Sequence, residues 1–178
     1  MYGEWSISAE IKEHVGSVYK LSWAHPEFGQ ILASCSADGD VNIYEEQIDR
    51  NNRKLRQFPK KGRLVDSRVA VKDLSFAPRH QGLKLATCSE DGKVRVYESS
   101  NLMDLGEWPL SQEFSLEESC NTFCWNSSPF EAPMLVVGAG SAVQLWEYQE
   151  AQRRWHMLHT LPVVHHVDWA PQVVEATI

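Results

Sequence analysis

The sequence has few cysteines, and their spacing suits neither a zinc site nor a disulfide framework. Cys35, Cys88, Cys120 and Cys124 are the four present, and no CxxC pair occurs. Zinc sites need close pairs of ligands, and disulfide-stabilised domains need a denser set of cysteines. We therefore predict buried thiols in a reducing compartment, the cytosol or the nucleus, and no metal site.

Signatures of enzymes and of membrane proteins are also missing. No GxSxG, HExxH, P-loop or GxGxxG motif occurs, so no catalytic residue and no cofactor or small-molecule ligand is predicted. No run of 18 apolar residues is present, and the N-terminus has no basic stretch followed by an apolar one, which disfavours membrane insertion and secretion. A formal net charge of −7 disfavours general binding to nucleic acid.

What the sequence does have is an internal repeat. LASCSADGDVNIYE, residues 32–45, aligns without a gap with LATCSEDGKVRVYE, residues 85–98, at an offset of 53 residues. VYKLSWAHP, residues 18–26, aligns with VKDLSFAPR, residues 71–79, at the same offset. Two weaker copies follow, a third that ends with residues 135–148 and lacks an Asp-Gly pair, and a fourth that begins with residues 163–171. Self-similarity at such a period indicates a repeat architecture.

Each copy has the pattern of a small antiparallel sheet. Residues 18–23 alternate in the way of a strand whose two faces meet different surroundings. Residues 31–36 form a mostly apolar run, typical of a strand buried on both faces, and Asp38-Gly39 behind it is a hairpin turn signal. Asp91-Gly92 repeats that turn, where glycine reaches positive φ without a steric clash.

These units predict an all-β fold, a WD-type β-propeller of four-stranded blades. A less regular outer segment precedes each core, at residues 4–11, 54–64, 107–116 and 155–161, and four short strands at this spacing are typical of a propeller blade. We predict a single partial propeller over residues 1–178, an incomplete ring of about three complete blades plus part of a fourth. The predicted repeats are 4–46, 54–99, 105–148 and a partial repeat at 155–178. Terminal blades of such a ring should present open apolar faces or unpaired edges.

The aligned copies resemble the WD-repeat family. Its blades contain a buried hydrogen-bond relay of a histidine, a strand serine or threonine, a turn aspartate and a closing aromatic residue. The resemblance assigns these relay and turn positions to His14, Ser34, Asp38, Gly39 and Tyr44 in the first copy, and to Thr87, Asp91, Gly92 and Tyr97 in the second. Ser67 stands in the histidine position of the second copy, so a complete relay is not expected there.

Large aromatic residues recur at one position of the repeat. Trp23, Phe76, Trp125 and Trp169 share it, and Trp146 is the closing aromatic of the third copy. Recurrence at a single strand position predicts blade core for the first four, and blade core is predicted for Trp146 as well. A ligand-stacking role is the alternative.

A closer resemblance is to the WD-repeat nucleoporins. It is carried by WAHPEFGQILASCSADG at 23–39, LVDSR at 64–68, FAPRHQGLKLATCSEDGKVRVYE at 76–98 and NLMDLGEWPL at 101–110. These proteins resemble open six-bladed propellers that accept a seventh blade from a helical-solenoid partner, and about half of their length is missing here. The resemblance implies a structural subunit of the outer ring (Y-complex) of the nuclear pore, which supports mRNA and protein transport at the nuclear envelope. It also implies a second setting at the lysosomal or vacuolar membrane surface, in a coat-like complex that regulates TORC nutrient signalling.

The implied partners are helical-solenoid nucleoporins and coat-like proteins, with no specific nucleic acid. Two alternatives remain at this point: a vesicle-coat subunit of the Sec-thirteen type, and a peptide-binding WD-repeat adaptor. A basic segment offers a candidate partner contact, and its residues are Arg50, Arg53, Lys54, Arg56, Lys60, Lys61 and Arg63. The segment is either a solvated loop or a surface that steers an acidic partner.

Overall fold

Three four-stranded antiparallel sheets follow one another along the chain. A computed structural model describes residues 6–48, 56–99, 101–162 and 168–169. Each sheet is a propeller blade, so the predicted incomplete propeller is confirmed. Residues 32–45 and 85–98, the two best copies of the repeat, form corresponding hairpins in different sheets.

The first blade consists of β1 (Val18–Trp23), β2 (Ile31–Ser36), β3 (Val41–Glu45) and β6 (Lys60–Leu64), paired in that order. All six residues of β2 are buried, as their apolar run predicts. Gly39 closes the β2–β3 turn with a φ of 85°, a conformation in which a Cβ would be strained. Between β3 and β6, a small ribbon pairs β4 (Gln47–Ile48) with β5 (Arg56–Gln57).

The second blade consists of β7 (Val71–Phe76), β8 (Lys84–Ser89), β9 (Lys93–Glu98) and β10 (Leu110–Ser115). The third consists of β11 (Cys120–Trp125), β12 (Met134–Ala139), β13 (Ala142–Gln149) and β14 (Arg154–Pro162). Short 3-10 turns lie at Pro26–Phe28, Arg79–Gln81 and Glu150–Gln152.

The outer strand of each blade comes from the segment that follows its three inner strands. Residues 54–64 were expected to join the core after them, yet β6 pairs with β3, with Val41 opposite Leu64. In the same way, β10 pairs with β9 and β14 with β13. The assignment of each outer segment to the core that follows it is therefore wrong, because the segment pairs with the free edge of the third strand of the core that precedes it.

The same rule explains the N-terminal segment. Residues 4–11 were expected to form an outer strand, but residues 6–11, the part that the structure describes, contain no strand. An outer strand needs the free edge of another sheet as its hydrogen-bonding partner, and none of the described strands pairs with residues 6–11. The fourth copy, residues 163–171, lies outside the described residues except for 168 and 169.

Two apolar cores lie between the blades, one at each interface. The first joins β2 and β3 to β7 and contains Ile31, Ile43 and Leu74, all at most 1% exposed. The second joins blades two and three and contains Val96, Phe123 and Leu135. In β8, Leu85 belongs to the first core while Ala86 and Cys88 belong to the second. A blade thus stabilises its neighbours by burying both of its faces.

Candidate functional site

The first blade contains a hydrogen-bonded chain of four side chains. Nε2 of His14 lies 2.6 Å from Oγ of Ser34, and Nδ1 lies 3.1 Å from Oδ2 of Asp38. The hydroxyl of Ser34 donates to the hydroxyl oxygen of Tyr44 over 3.4 Å. The structure therefore brings together the four residues that the WD-repeat resemblance assigned to the relay of this blade.

Asp38 is held as a carboxylate by the turn around it. Although burial raises its pKa, hydrogen bonds from the backbone N–H groups of Asp40, Gly16 and Val15, and from His14, lower the pKa of Asp38 well below its usual range. Its two oxygens accept bonds from Val15 at 2.9 Å and Asp40 at 3.0 Å. Since these donors come from the N-terminal segment and from the β2–β3 turn, Asp38 fastens one to the other.

The second blade replaces the histidine by an arginine. Ser67, in the histidine position, bonds only locally to the backbone of Val69. Arg95, on β9 and 4% exposed, instead donates to Asp91 at 2.7 Å and to Ser89 at 2.8 Å. Its Nε lies 2.9 Å from a carboxylate oxygen of Glu113.

Sequence reasoning missed Arg95, although a signal was available. Arg95 aligns with Asn42 of the first copy. It lies in β9 between Val94 and Val96, which are both buried. A charged side chain there has to be paired, because an isolated buried charge is strongly unfavourable. Thr87 is buried beside it. The closing Tyr97 is also buried, and burial together with the nearby carboxyl of Asp66 raises its pKa.

The third blade has no such network in its described residues. The β12–β13 hairpin is one residue shorter than its counterparts, with Ala139 opposite Ala142 and Gly140-Ser141 as the turn. Leu116 stands where His14 stands in the first blade. Here Trp146 donates from Nε1 to Oε1 of Gln144 at 3.0 Å.

The recurring aromatic residues do not share one environment. Phe76 and Trp125 are 8% and 5% exposed and lie in the two inter-blade cores. Trp23 was predicted to be core, but it is 52% exposed and makes an edge contact with Phe58 at 5.8 Å between ring centroids. This prediction is wrong because no sheet of the described residues covers that face of the first blade. Trp146 packs against the second core, with its ring centroid 4.4 Å from that of Phe114. Trp169 is partly exposed.

Asp73 links the innermost strands of the three blades, a role that the sequence did not suggest. Its Oδ2 accepts hydrogen bonds from Oγ1 of Thr122 at 3.1 Å and from the backbone N–H of Phe123 at 3.2 Å. Nζ of Lys20 lies 3.7 Å from its Oδ1. Lys20, Asp73 and Thr122 hold the same position in successive blades, so Asp73 connects the equivalent positions of the blades on either side of it.

Within the candidate basic segment, the four residues that the structure describes are paired with carboxylates of their own chain. Arg56 lies 3.0 Å from Glu46, and Lys60 lies 2.6 Å from Glu13. Lys61 pairs with Glu45 at 3.2 Å, and Arg63 with Asp40 at 2.5 Å. Arg50, Arg53 and Lys54 lie outside the described residues. The described half of this segment is thus a charge-balanced surface, in which exposed pairs contribute little to stability.

Within the described ranges, no group of three or more His, Cys, Asp or Glu side chains is arranged to hold a metal ion. None of the helices that the structure describes has the length and apolar content needed to cross a membrane.

Comparison with known proteins identifies related sequences and folds. The family described as WD domain, G-beta repeat matches residues 5–45 and 61–98. Nucleoporin SEH1 of Bos taurus is 44% identical over 96% of this chain and 52% of its own length. The Homo sapiens protein of that name is 43% identical over 96% and 52%, and that of Danio rerio 42% over 96% and 51%. The chain therefore spans about half the length of the curated relatives it matches.

A solved structure supports the architecture independently of close sequence similarity. Sqt1 of Saccharomyces cerevisiae superposes with a TM-score of 0.63 at 19% identity, over 86% of this chain and 37% of that chain. At this identity the likeness concerns the fold alone. The second matched repeat, 61–98, begins inside β6 of the first blade, so sequence repeat and blade are offset by one strand.

Proposed function

Since the chain belongs to the WD-repeat proteins and matches relatives named Nucleoporin SEH1 along nearly its whole length, we propose that it is a scaffold subunit of the nuclear-pore outer ring. It acts by binding helical-solenoid nucleoporins, without catalysis, and thereby supports transport of mRNA and protein. The observation that carries this proposal is the 43–44% identity over 96% of the chain.

The open face of the first blade supports a protein-binding role. Val18, Leu21 and Trp23 of β1 are 50%, 57% and 52% exposed, although the equivalent residues of β7 are buried in the first core. Exposed contiguous apolar surface of this kind marks protein interfaces. The open face of the first blade, defined by these three side chains, is therefore the surface on which a partner would pack.

The experiment is affinity purification of the tagged chain from cells of its source organism, combined with imaging of the nuclear rim. We expect nucleoporins to co-purify and the rim to be labelled. The Leu21→Asp variant places a charge on the open face and should reduce nucleoporin recovery by roughly tenfold, equivalent to about 1.4 kcal/mol. Met103→Asp is the matched control, because Met103 is 96% exposed in the loop before β10.

Other results separate the alternatives. Equal melting temperatures of the two variants would establish that a loss by Leu21→Asp concerns binding and not folding. Recovery of lysosomal or vacuolar coat-like proteins would assign the chain to the nutrient-signalling complex in addition. Recovery of vesicle-coat subunits or of ubiquitin-ligase components without nucleoporins, and with no rim signal, would overturn the proposal.

A further inference from the structure

The third blade contains a cavity at the position that the polar network occupies in the other two blades. Its volume is about 340 Å³, and its walls include Leu116, Glu118, Gln144, Trp146, Met157 and Thr160. Cavities of this size are in the range that accepts ligand groups.

Comparison with the second blade shows why the space is empty of protein. Gln144 on β13 pairs with Thr160 on β14, as Arg95 on β9 pairs with Glu113 on β10. In the second blade the Arg95 side chain fills this space and reaches Glu113 and Asp91. Two shorter side chains and a shorter turn replace these three groups in the third blade, so the volume of the guanidinium is left unfilled.

An exposed carboxylate, that of Glu118, lines the cavity. Glu118 lies directly against Gly140, with its carboxyl group in the space that a Cβ at that position would occupy. Gly140 adopts a φ of 53°, so glycine serves both the tight turn and this approach. Among the described residues, no ion pair or side-chain hydrogen bond is formed by Glu118 or by its neighbour Glu117, in contrast to Glu113.

The lining also includes an aromatic ring and an amide, those of Trp146 and Gln144. Trp146 lines the cavity beside Met157, and its ring is held in place by Phe114 and by the hydrogen bond to Gln144. An indole ring together with a carboxylate is the combination that binds a planar cation, through the ring face and a charge-assisted hydrogen bond.

We propose that this cavity, which we call the third-blade cavity, binds the guanidinium group of an arginine from a partner polypeptide. The incoming arginine takes the place that Arg95 takes within the second blade, with Glu118 as its anionic partner and Trp146 beside it. The proposal deepens the scaffold function, on which it rests for its partner, by assigning a basic segment to one surface of the propeller.

The test uses the purified full chain and the peptide acetyl-Gly-Arg-Gly-amide, with binding followed by calorimetry and by the indole N–H signals of the tryptophans. We expect a Kd in about the millimolar range and a shift of the Trp146 signal. The peptide with citrulline in place of arginine has the same shape without charge and should bind at least roughly tenfold more weakly. Because no nucleoporin is involved, failure here leaves the scaffold proposal intact, and the reverse also holds.

Three variants complete the test. Glu118→Gln should weaken arginine-peptide binding by roughly tenfold, whereas Glu107→Gln, the same change at an exposed residue outside the cavity, should leave it unchanged. Gln144→Arg supplies the guanidinium within the chain, so it should abolish peptide binding and raise the melting temperature. Equal affinity for the citrulline peptide, unchanged affinity of Glu118→Gln, or no measurable binding to the parent chain would each overturn the proposal. Glu118 is exposed, so its variant remains informative even if Gln144→Arg fails to fold.

Discussion

Nη2 of Arg95 lies 2.7 Å from Oδ2 of Asp91, so that a buried guanidinium holds the turn aspartate of the second blade. In the first blade the imidazole of His14 holds Asp38, at 3.1 Å. Two different residues thus satisfy the same requirement, because a partly buried carboxylate needs a donor. Equivalent turns can therefore be stabilised by side chains that do not align in the sequence.

Removal of Arg95 should destabilise the chain strongly. Arg95→Ala leaves Asp91 without its charged donor and opens a gap beside Ser89, and we expect a loss of about 3 kcal/mol in the free energy of unfolding. Urea unfolding followed by tryptophan fluorescence measures it. Arg79→Ala, which breaks an exposed pair with Glu27, is the control and should cost less than about 1 kcal/mol. Equal losses for the two variants would contradict the role of Arg95.

Asp38 should make stability depend on pH in the acid range. Its folded-state pKa is lowered, so its contribution is complete above the unfolded-state pKa of about 3.9 and is lost as pH falls below that value toward the folded-state pKa. Asp38→Asn and Asp38→Ala should therefore be less stable than the parent near neutral pH and lose less stability on acidification. Free energies of unfolding measured over that range test this, and parallel curves for the parent chain and Asp38→Asn would refute it.

Equivalent aromatic residues should differ in their contribution to stability. Phe76→Ala removes a side chain from the first inter-blade core and should cost about 3–5 kcal/mol. Trp23→Ala, at the same repeat position but half-exposed, should cost markedly less, since it creates no cavity in the core. Thermal and urea unfolding of the two variants decide the matter. A loss for Trp23→Ala as large as for Phe76→Ala would show that something covers the open face in solution.

The thiols should be protected in the folded chain. Burial raises the pKa of Cys35 to about 12 and that of Cys124 to about 11, and it raises the pKa of Cys88 as well. Since the thiolate is the reactive form, labelling by a disulfide reagent in mildly alkaline buffer should be slow. Cys124, the half-buried thiol, should react first, and Cys124→Ser should remove that phase. Urea should expose all four, and rapid labelling of all four in native buffer would contradict the structure.

Neutralising the described residues of the basic segment should change the rate of association with a partner only weakly. Lys60 and Arg63 already face Glu13 and Asp40, so Lys60→Gln with Arg63→Gln should change the association rate only slightly. Arg50→Gln with Arg53→Gln is the second double variant. Association rates with the purified nucleoporin partner, measured at low and high salt, provide the test, because salt screens steering by exposed charges. Unchanged rates for both double variants would discard a steering role for the whole segment.

The sequence determined the three inner strands of each blade and the hairpins that join them. The alternation of residues 18–23, the apolar run of 31–36 and the Asp-Gly turns are local signals, and local signals survive without knowledge of neighbours in space. The relay of the first blade could be placed because His14, Ser34 and Asp38 match a known repeat position by position.

Tertiary structure alone decided which edges and faces meet. The pairing of β6 with β3, the exposure of Trp23 and the position of Arg95 against Asp91 and Glu113 all depend on which segment lies beside which in space. Residues at one repeat position have the same strand geometry but different neighbours, and burial is set by those neighbours. Trp23 and Phe76 therefore have the same sequence pattern around them. The packing of one blade on the next leaves the ring of Trp23 exposed to solvent and buries that of Phe76 in the core.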